Sequence, residues 1–404
     1  MKRLILIFLL LFPLVLSGCA SLFSTAEPVT ITFSCPAPDQ AYYESLLPEF
    51  KNEHPNITVT ITPFTDNPSR EADVMILPWM YTIGLDESRL NALPLDAYLS
   101  KEKDFTSDAF YPGALDAFRL AGKQFAVPTG IDPWVMYYNK NLFDTYGVPY
   151  PQPGWTWSDF LAYAEALRDP EEKTWGYTHE SAQYIDAMIF VYQHGGKLVD
   201  ASGNPTFTDP LTIEAIQWYI DLFREFEVAP TRSQALNDFG ATGAPALRGI
   251  AMGKIGMFMM ALSARGGKDF FPTEWTFPWG VIEPPRDSFP FTLAFFEGAA
   301  ISKDSTNPDA AWEWIAFISR KPHNRLVPAR LALAESPAYA RLVGEDIARV
   351  GREAVNSAMF VSGKTVTELG QSIDLFFETV DALVNRDLDV SEELQKAQQQ
   401  AENR

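Results

Sequence analysis

The chain of 404 residues sets 52 acidic side chains against 32 basic ones, for a formal charge of −20. Such acidity argues against nucleic acid and anionic membrane surfaces as partners, since phosphates would repel it. The length suggests two domains rather than one.

The chain opens as a targeting segment. Lys2 and Arg3 precede thirteen apolar residues, Leu4 to Leu16, and the small pair Ser17-Gly18 follows. Thirteen residues fall short of the roughly 20 that a membrane-spanning helix needs. Leu16-Ser17-Gly18-Cys19 resembles a bacterial lipobox. It predicts a signal peptide over residues 1–18, lipid on Cys19, and a tether over residues 19–28. A plain secretory signal ending near a cysteine is the alternative. Two or three acyl chains would anchor the protein stably, and loss of Lys2 and Arg3 would leave a formal charge of about −22. With Cys19 lipidated, Cys35 has no partner for an intramolecular disulfide. It reads as a buried free thiol in the loop after the first strand.

The next elements read as α/β. Val29 to Phe33 alternates as a strand, Gln40 to Asn52 is helical with Tyr43, Leu46, Leu47 and Phe50 on one face, and Ile57, Val59 and Ile61 alternate again. Glu71 to Leu77 is a buried strand stopped by Pro78-Trp79. Ligands gather at the carboxyl ends of parallel strands, which puts residues 36–40, Asp39 among them, and Trp79 near any cleft. Trp79 reads equally well as core.

The stretch Leu120 to Gly147 organises the middle of the chain. An apolar strand ends at Pro128, Thr129 to Pro133 forms a crossing, and a second strand runs from Trp134 to Tyr138. Gly130 and Pro133 argue against one continuous strand. A crossing of this kind suits a hinge, and it would hold Asp132 and Trp134 where a cleft opens. Thr156, with Asp159 three positions on, caps a helix from Trp157 to Leu167. Trp175 to Tyr177 begins a strand, and Tyr184 to Tyr192 is a helix ending at His194-Gly195-Gly196. A hairpin turns at residues 201–204, and Asp209-Pro210 starts a helix to Phe226. Gly249 to Met260 is no phosphate loop, because Lys254 is followed by Ile255 rather than Ser or Thr. Pro272 to Pro290 reads as a loop with Trp275 and Trp279 as cleft candidates. Phe291 to Phe296 is a second candidate crossing, Asn307-Pro308 caps a helix to Ser319, and Leu326 to Leu331 is the third crossing. The remainder reads as helical, with Phe376-Phe377 as core aromatics.

Catalytic and metal signatures are absent. There is no Gly-x-Ser-x-Gly, no His-Glu-x-x-His and no Cys-x-x-Cys, and the four histidines are scattered. Aromatic residues make up 13% of the chain and include ten tryptophans. Their faces suit the polarised C–H surfaces of sugars, and carboxylates accept hydrogen bonds from hydroxyls.

The pattern GKxxAVPxxxDxxxxYYNKxLF, followed by a Pro-rich turn and TW-x-D-F, resembles the extracellular solute-binding proteins of sugar ABC importers, the maltose-binding-protein-like family. The resemblance continues through Gly195-Gly196, Met252 to Met260, and Glu297 to Lys303. It implies an α/β type II periplasmic-binding-protein fold of two lobes, each a mixed sheet flanked by helices, with a ligand cleft between them. It puts residues 29–131 plus 296–327 in the N-terminal lobe and residues 132–295 plus 328–404 in the C-terminal lobe. It also implies a monomer that binds a carbohydrate, uses no cofactor or metal, performs no covalent chemistry and delivers its ligand to permease subunits. Asp132 stands where this family places a cleft carboxylate. Trp134 and Trp79 would stack, Glu180 or Tyr184 would contribute from the second lobe, and Asp39, Trp279, Glu297, Gly298 and Phe377 complete the expected site. Ala261-Leu262-Ser263 departs from the family by offering no aromatic platform. A secreted glycoside hydrolase, with two carboxylates about 5–10 Å apart, and a surface scaffold with an external apolar patch remain the rival readings.

Overall fold

One strand, β6 (Val127–Asn139), carries the architecture. The computed structural model describes residues 27–64, 72–78, 90–179, 184–240, 244–267, 274–361, 369–370 and 372–403. Before β6 come β1 (Val29–Pro36), β2 (Ile57–Phe64), β3 (Val74–Pro78) and a small hairpin of β4 (Arg119–Leu120) and β5 (Lys123–Gln124). After it come β7 (Trp175–Thr178), β8 (Ile255–Ala261), β9 (Trp279–Ile282), β10 (Thr292–Ile301), β11 (Val327–Pro328) and β12 (Ala358–Val361). The main sheet runs β2-β1-β3-β10-β6-β8-β7, with β9 and β11 also on β6 and β12 on β10. The β1–β2, β1–β3, β7–β8 and β10–β12 pairs are parallel, and the others in this sheet are antiparallel.

β6 changes partners midway. Residues 127–133 pair with β10, and β11 adds to Gly130 and Ile131; residues 134–139 pair with β8 and β9. The expected break at Thr129 to Pro133 is therefore a change of neighbour inside a continuous strand. Pro133 lacks an N–H, which the ladder tolerates where the pairing switches. Thr292 Oγ1 donates to the Trp134 carbonyl there at 2.8 Å. Gly130 marks a close approach rather than a turn, for a Cβ on it would lie 2.6 Å from Leu326 Cδ1. The register shifts between Glu297 and Gly298, which face Gly130 and Pro128, so Thr129 of β6 is the extra, bulged residue.

Side-chain alternation along β6 feeds two large apolar clusters. Val127, Ile131, Val135 and Tyr137 join a core that includes Phe33, Ile76 and Trp314. Trp134, Met136 and Tyr138 join a second core with Phe160, Tyr177, Phe190 and Met257. Helices flank both: Gln40–Glu53 and Pro308–Ile318 beside the first, and Trp157–Ala166, Ile185–His194, Pro210–Arg224 and Ser372–Asn385 beside the second. The Thr156–Asp159 capping box forms as the sequence implies, and Asp209 accepts from Leu211 N. Asn307, by contrast, makes no side-chain cap, and its helix starts instead on Pro308.

Four further expectations need correction. Cys35 belongs to β1 itself and is buried rather than lying in a loop. The Pro-rich segment 272–290 contains β9, and Trp275 packs in the first core. The C-terminal region is interrupted by β12, a short edge pairing to β10 that helical periodicity does not register. The hairpin around residues 201–204 is reduced to one bridge, Val199 to Pro205.

Candidate functional site

The crossing strands bring a buried ionic cluster together from distant parts of the chain. Asp39 follows β1, Glu297 sits on β10 opposite the Thr129 bulge, and His323 and Arg325 precede β11. Arg325 holds Asp39 with a two-pronged contact, Nε to Oδ1 at 2.9 Å and Nη2 to Oδ2 at 2.8 Å, and reaches Glu297 Oε2 at 3.2 Å. Planar guanidinium and carboxylate groups match in this way, which makes such pairs strong and directional. Burial opposes a charge on Asp39, but Arg325 outweighs it and holds the carboxyl below the usual range. Arg325 is correspondingly raised above its ordinary value by Asp39 and Glu297 despite its burial. His323 Nδ1 accepts from the backbone N–H groups of Arg325 and Leu326, so its ring proton belongs on Nε2, 3.3 Å from Glu297 Oε1. The same burial, with the charges of Asp39 and Glu297, pushes the Cys35 thiol up to about 12, which leaves it unreactive.

Asp39, Glu297 and His323 present ligand atoms within 4.8 Å of one another, the one such donor group among the described residues. Arg325 already supplies the positive charge that a metal ion would bring. The residues are 26 to 284 positions apart in sequence, so spacing motifs could not reveal the group.

Asp132 is held differently from the carboxylates of this cluster. It is half-buried in β6, and both its partners are neutral: Ser263 N donates to Oδ1 at 2.9 Å and Ser263 Oγ donates to Oδ2 at 2.6 Å. Burial pushes its carboxyl above the ordinary value, with Glu297 adding to the effect, although Arg325 and the Ser263 bonds pull the other way. A carboxylate offers about four acceptor directions, and Ser263 uses two. The segment bearing Ser263 is also tied to the third connection, where Arg265 Nη2 donates to the Asn324 carbonyl at 2.9 Å.

The other expected site residues fall in different settings. Trp134 is buried, because strand alternation turns it into the second core. Tyr184 is buried too; its hydroxyl donates to Asp381 Oδ1 at 3.0 Å and its ring stacks on His179 at 4.5 Å. Phe377 is half-buried against the second core beside Phe376. Trp134 and Tyr184 thus lie within the second core and Phe377 packs against it. Trp279 is half-buried in β9, edge-on to Tyr137 and Trp275. Gly298 lies at the register shift between β10 and β6, where a Cβ would meet the Phe118 ring at 2.8 Å. Asp39 and Glu297 have their carboxylates in the ionic cluster. Trp79 and Glu180 lie outside the described residues. Sequence reasoning missed Arg325, His323, Ser263 and Arg265; the one available signal was a charged residue directly before the apolar third crossing, Arg325-Leu326-Val327-Pro328.

No helix among the described residues is long and apolar enough to cross a membrane. The chain is 25% identical over 215 residues to a probable ABC transporter-binding protein of Deinococcus radiodurans, a match covering 48% of this chain and 50% of that protein. An ABC substrate-binding protein of Listeria monocytogenes in complex with cycloalternan superposes with a TM-score of 0.72 at 22% identity, over 93% of this chain and 99% of that one. Maltose-bound MalE3 of T. maritima gives 0.69 at 19% identity, over 93% and 100%. The fold is thus the two-lobed mixed α/β fold of these binding proteins. The family described as bacterial extracellular solute-binding protein matches residues 36–324, and the chain belongs to that family.

Proposed function

We propose that this chain is the extracytoplasmic receptor of an ABC importer, that it captures a carbohydrate between its lobes, and that it hands the ligand to the permease without chemical change. The observation that carries the reading is Asp132: a half-buried carboxylate at the strand that changes sheet partners, held by neutral donors, with acceptor directions left over. Such a group recognises hydroxyls, and a bond to a charged acceptor is worth about 1.5–3 kcal/mol. Cycloalternan and maltose, carried by the Listeria and T. maritima proteins, are ligands of this hydroxyl-rich kind. The change of partner along β6 gives closure a pivot. Cys19 is the proposed lipid anchor, as the Leu16-to-Cys19 sequence implies, and Cys19→Ala should release the protein to the soluble fraction or leave it unprocessed.

A thermal-shift screen against mono- and oligosaccharides and polyols tests the reading, since a true ligand at 100 times Kd adds about 2.7 kcal/mol. A raised melting temperature with one member, and no hydrolysis of it, is the expected result. A flat response across the panel, or turnover of the bound sugar, would overturn it.

A further inference from the structure

Ser263 directs two donors at one carboxylate. It stands in the short segment Leu262–Gly267 that follows β8, and only 3% of it is exposed. Its backbone N–H holds Asp132 Oδ1 and its hydroxyl holds Oδ2. Two donors from one residue, one on each oxygen, fix the plane of the carboxylate as well as its position. The clip also spans two elements, joining the second residue after β8 to β6 at its change of partners. A carboxylate so held presents its remaining acceptor directions at set angles, which is what selective recognition of a polyhydroxylated ligand requires.

We propose that Ser263 is a positioning residue for ligand binding, which orients the Asp132 carboxylate and so decides which ligand hydroxyls the site accepts. This rests on the reading of Asp132 as the ligand's acceptor. The charged groups acting on Asp132 are Arg325, which favours its ionised form together with the Ser263 bonds, and Glu297, which opposes it together with burial. Removing the serine hydroxyl takes away a donor to the ionised form and leaves the other influences in place.

The test uses the whole protein without ligand, labelled with carboxyl-13C aspartate, with the Asp132 signal assigned by its loss in Asp132→Asn. In Ser263→Ala the carboxyl should titrate roughly one pH unit higher than in the wild type, the size of one charge-assisted hydrogen bond. Ser263→Thr keeps the hydroxyl and should titrate with the wild type. Coincident titration in all three proteins would overturn the assignment. Calorimetry with maltose, mannitol and acarbose as probes gives the second readout. Affinity for whichever the wild type holds should fall roughly tenfold in Ser263→Ala and recover in Ser263→Thr; an equal affinity in all three proteins would also overturn it. Failure of the wild type to bind any probe counts against the carbohydrate reading, whereas the carboxyl titration decides the role of Ser263 independently.

Discussion

Asp39 and Asp132 are two carboxylates in the same neighbourhood, and folding treats them in opposite ways. Asp39 is fully buried yet gripped on both oxygens by Arg325, and its pKa is lowered. Its ionised form therefore stabilises the fold at every pH above the ordinary value of 3.8, and that contribution is lost as pH falls through the lowered folded value. Asp132 has neutral partners and a raised pKa. Its charge works against the fold, and the cost develops as pH rises from 3.8 through the raised folded value. A charge maintained at the expense of stability belongs to a binding or catalytic role more readily than to a structural one. The contrast divides the neighbourhood: Asp39, Glu297 and Arg325 tie the crossing strands together, while Asp132 is the acceptor proposed for the ligand.

The largest effect should come from cutting the structural half. Arg325→Met leaves Asp39 and Glu297 buried without their cation, which should lower stability by about 3–5 kcal/mol in urea unfolding at neutral pH. A loss under about 1 kcal/mol would mean that the ion cluster does not hold the strands. A smaller loss is expected at the packing beside it. The Cβ of Gly130→Ala would lie 2.6 and 2.7 Å from Leu326 Cδ1 and Cβ, and overpacking of that kind costs about 1–3 kcal/mol. Combining it with Leu326→Ala should recover part of that cost if the two residues collide, whereas strict additivity would place the strain elsewhere.

A third ionic site supplies a control at neutral pH. His194 Nδ1 meets Asp287 Oδ2 at 2.6 Å, and Nε2 meets Glu214 Oε2 at 3.2 Å. Burial alone would depress its pKa, but the two carboxylates outweigh that and raise it above 6.5. Its stabilisation is therefore complete below 6.5 and is lost as pH rises through the raised folded value. The site is partly solvent-screened, so His194→Gln should remove no more than about 1 kcal/mol, and only on the acid side. Equal loss at pH 6 and pH 8 would show that packing on Trp157, not charge, matters there.

Much of the frame was legible in the sequence because it rests on local patterns. Alternation marked β1 and β2, the Thr156–Asp159 box marked a helix start, and Gly195 marked a helix end, where its φ of 99° suits glycine. The reading of Thr129 to Pro133 as a break failed because glycine and proline there answer to Leu326 and to a change of strand partner, both remote in sequence. The proposed acceptor Asp132 stood out in the sequence through its place beside the crossing. Trp134, two residues on from Asp132 and past the partner switch, is packed into the second core, a placement that only the tertiary fold reveals. Ser263 left no local signal and Arg325 only its charge before an apolar run, because each acquires its role from a carboxylate more than 100 residues away.

The central claim is tested most directly by one paired experiment at neutral pH, comparing Asp39→Asn and Asp132→Asn for ligand-free melting and for calorimetric affinity toward a saccharide that the wild type binds. Asparagine at 132 can still meet both Ser263 groups, because the serine hydroxyl can turn to accept. Asp132→Asn should melt no lower than the wild type and bind roughly five- to 150-fold more weakly, the range of about 1–3 kcal/mol for an acceptor lost in a desolvated site. Asp39→Asn should melt distinctly lower. If instead Asp132→Asn melts lower and keeps its affinity, Asp132 is a structural pin and the division between the two carboxylates is wrong.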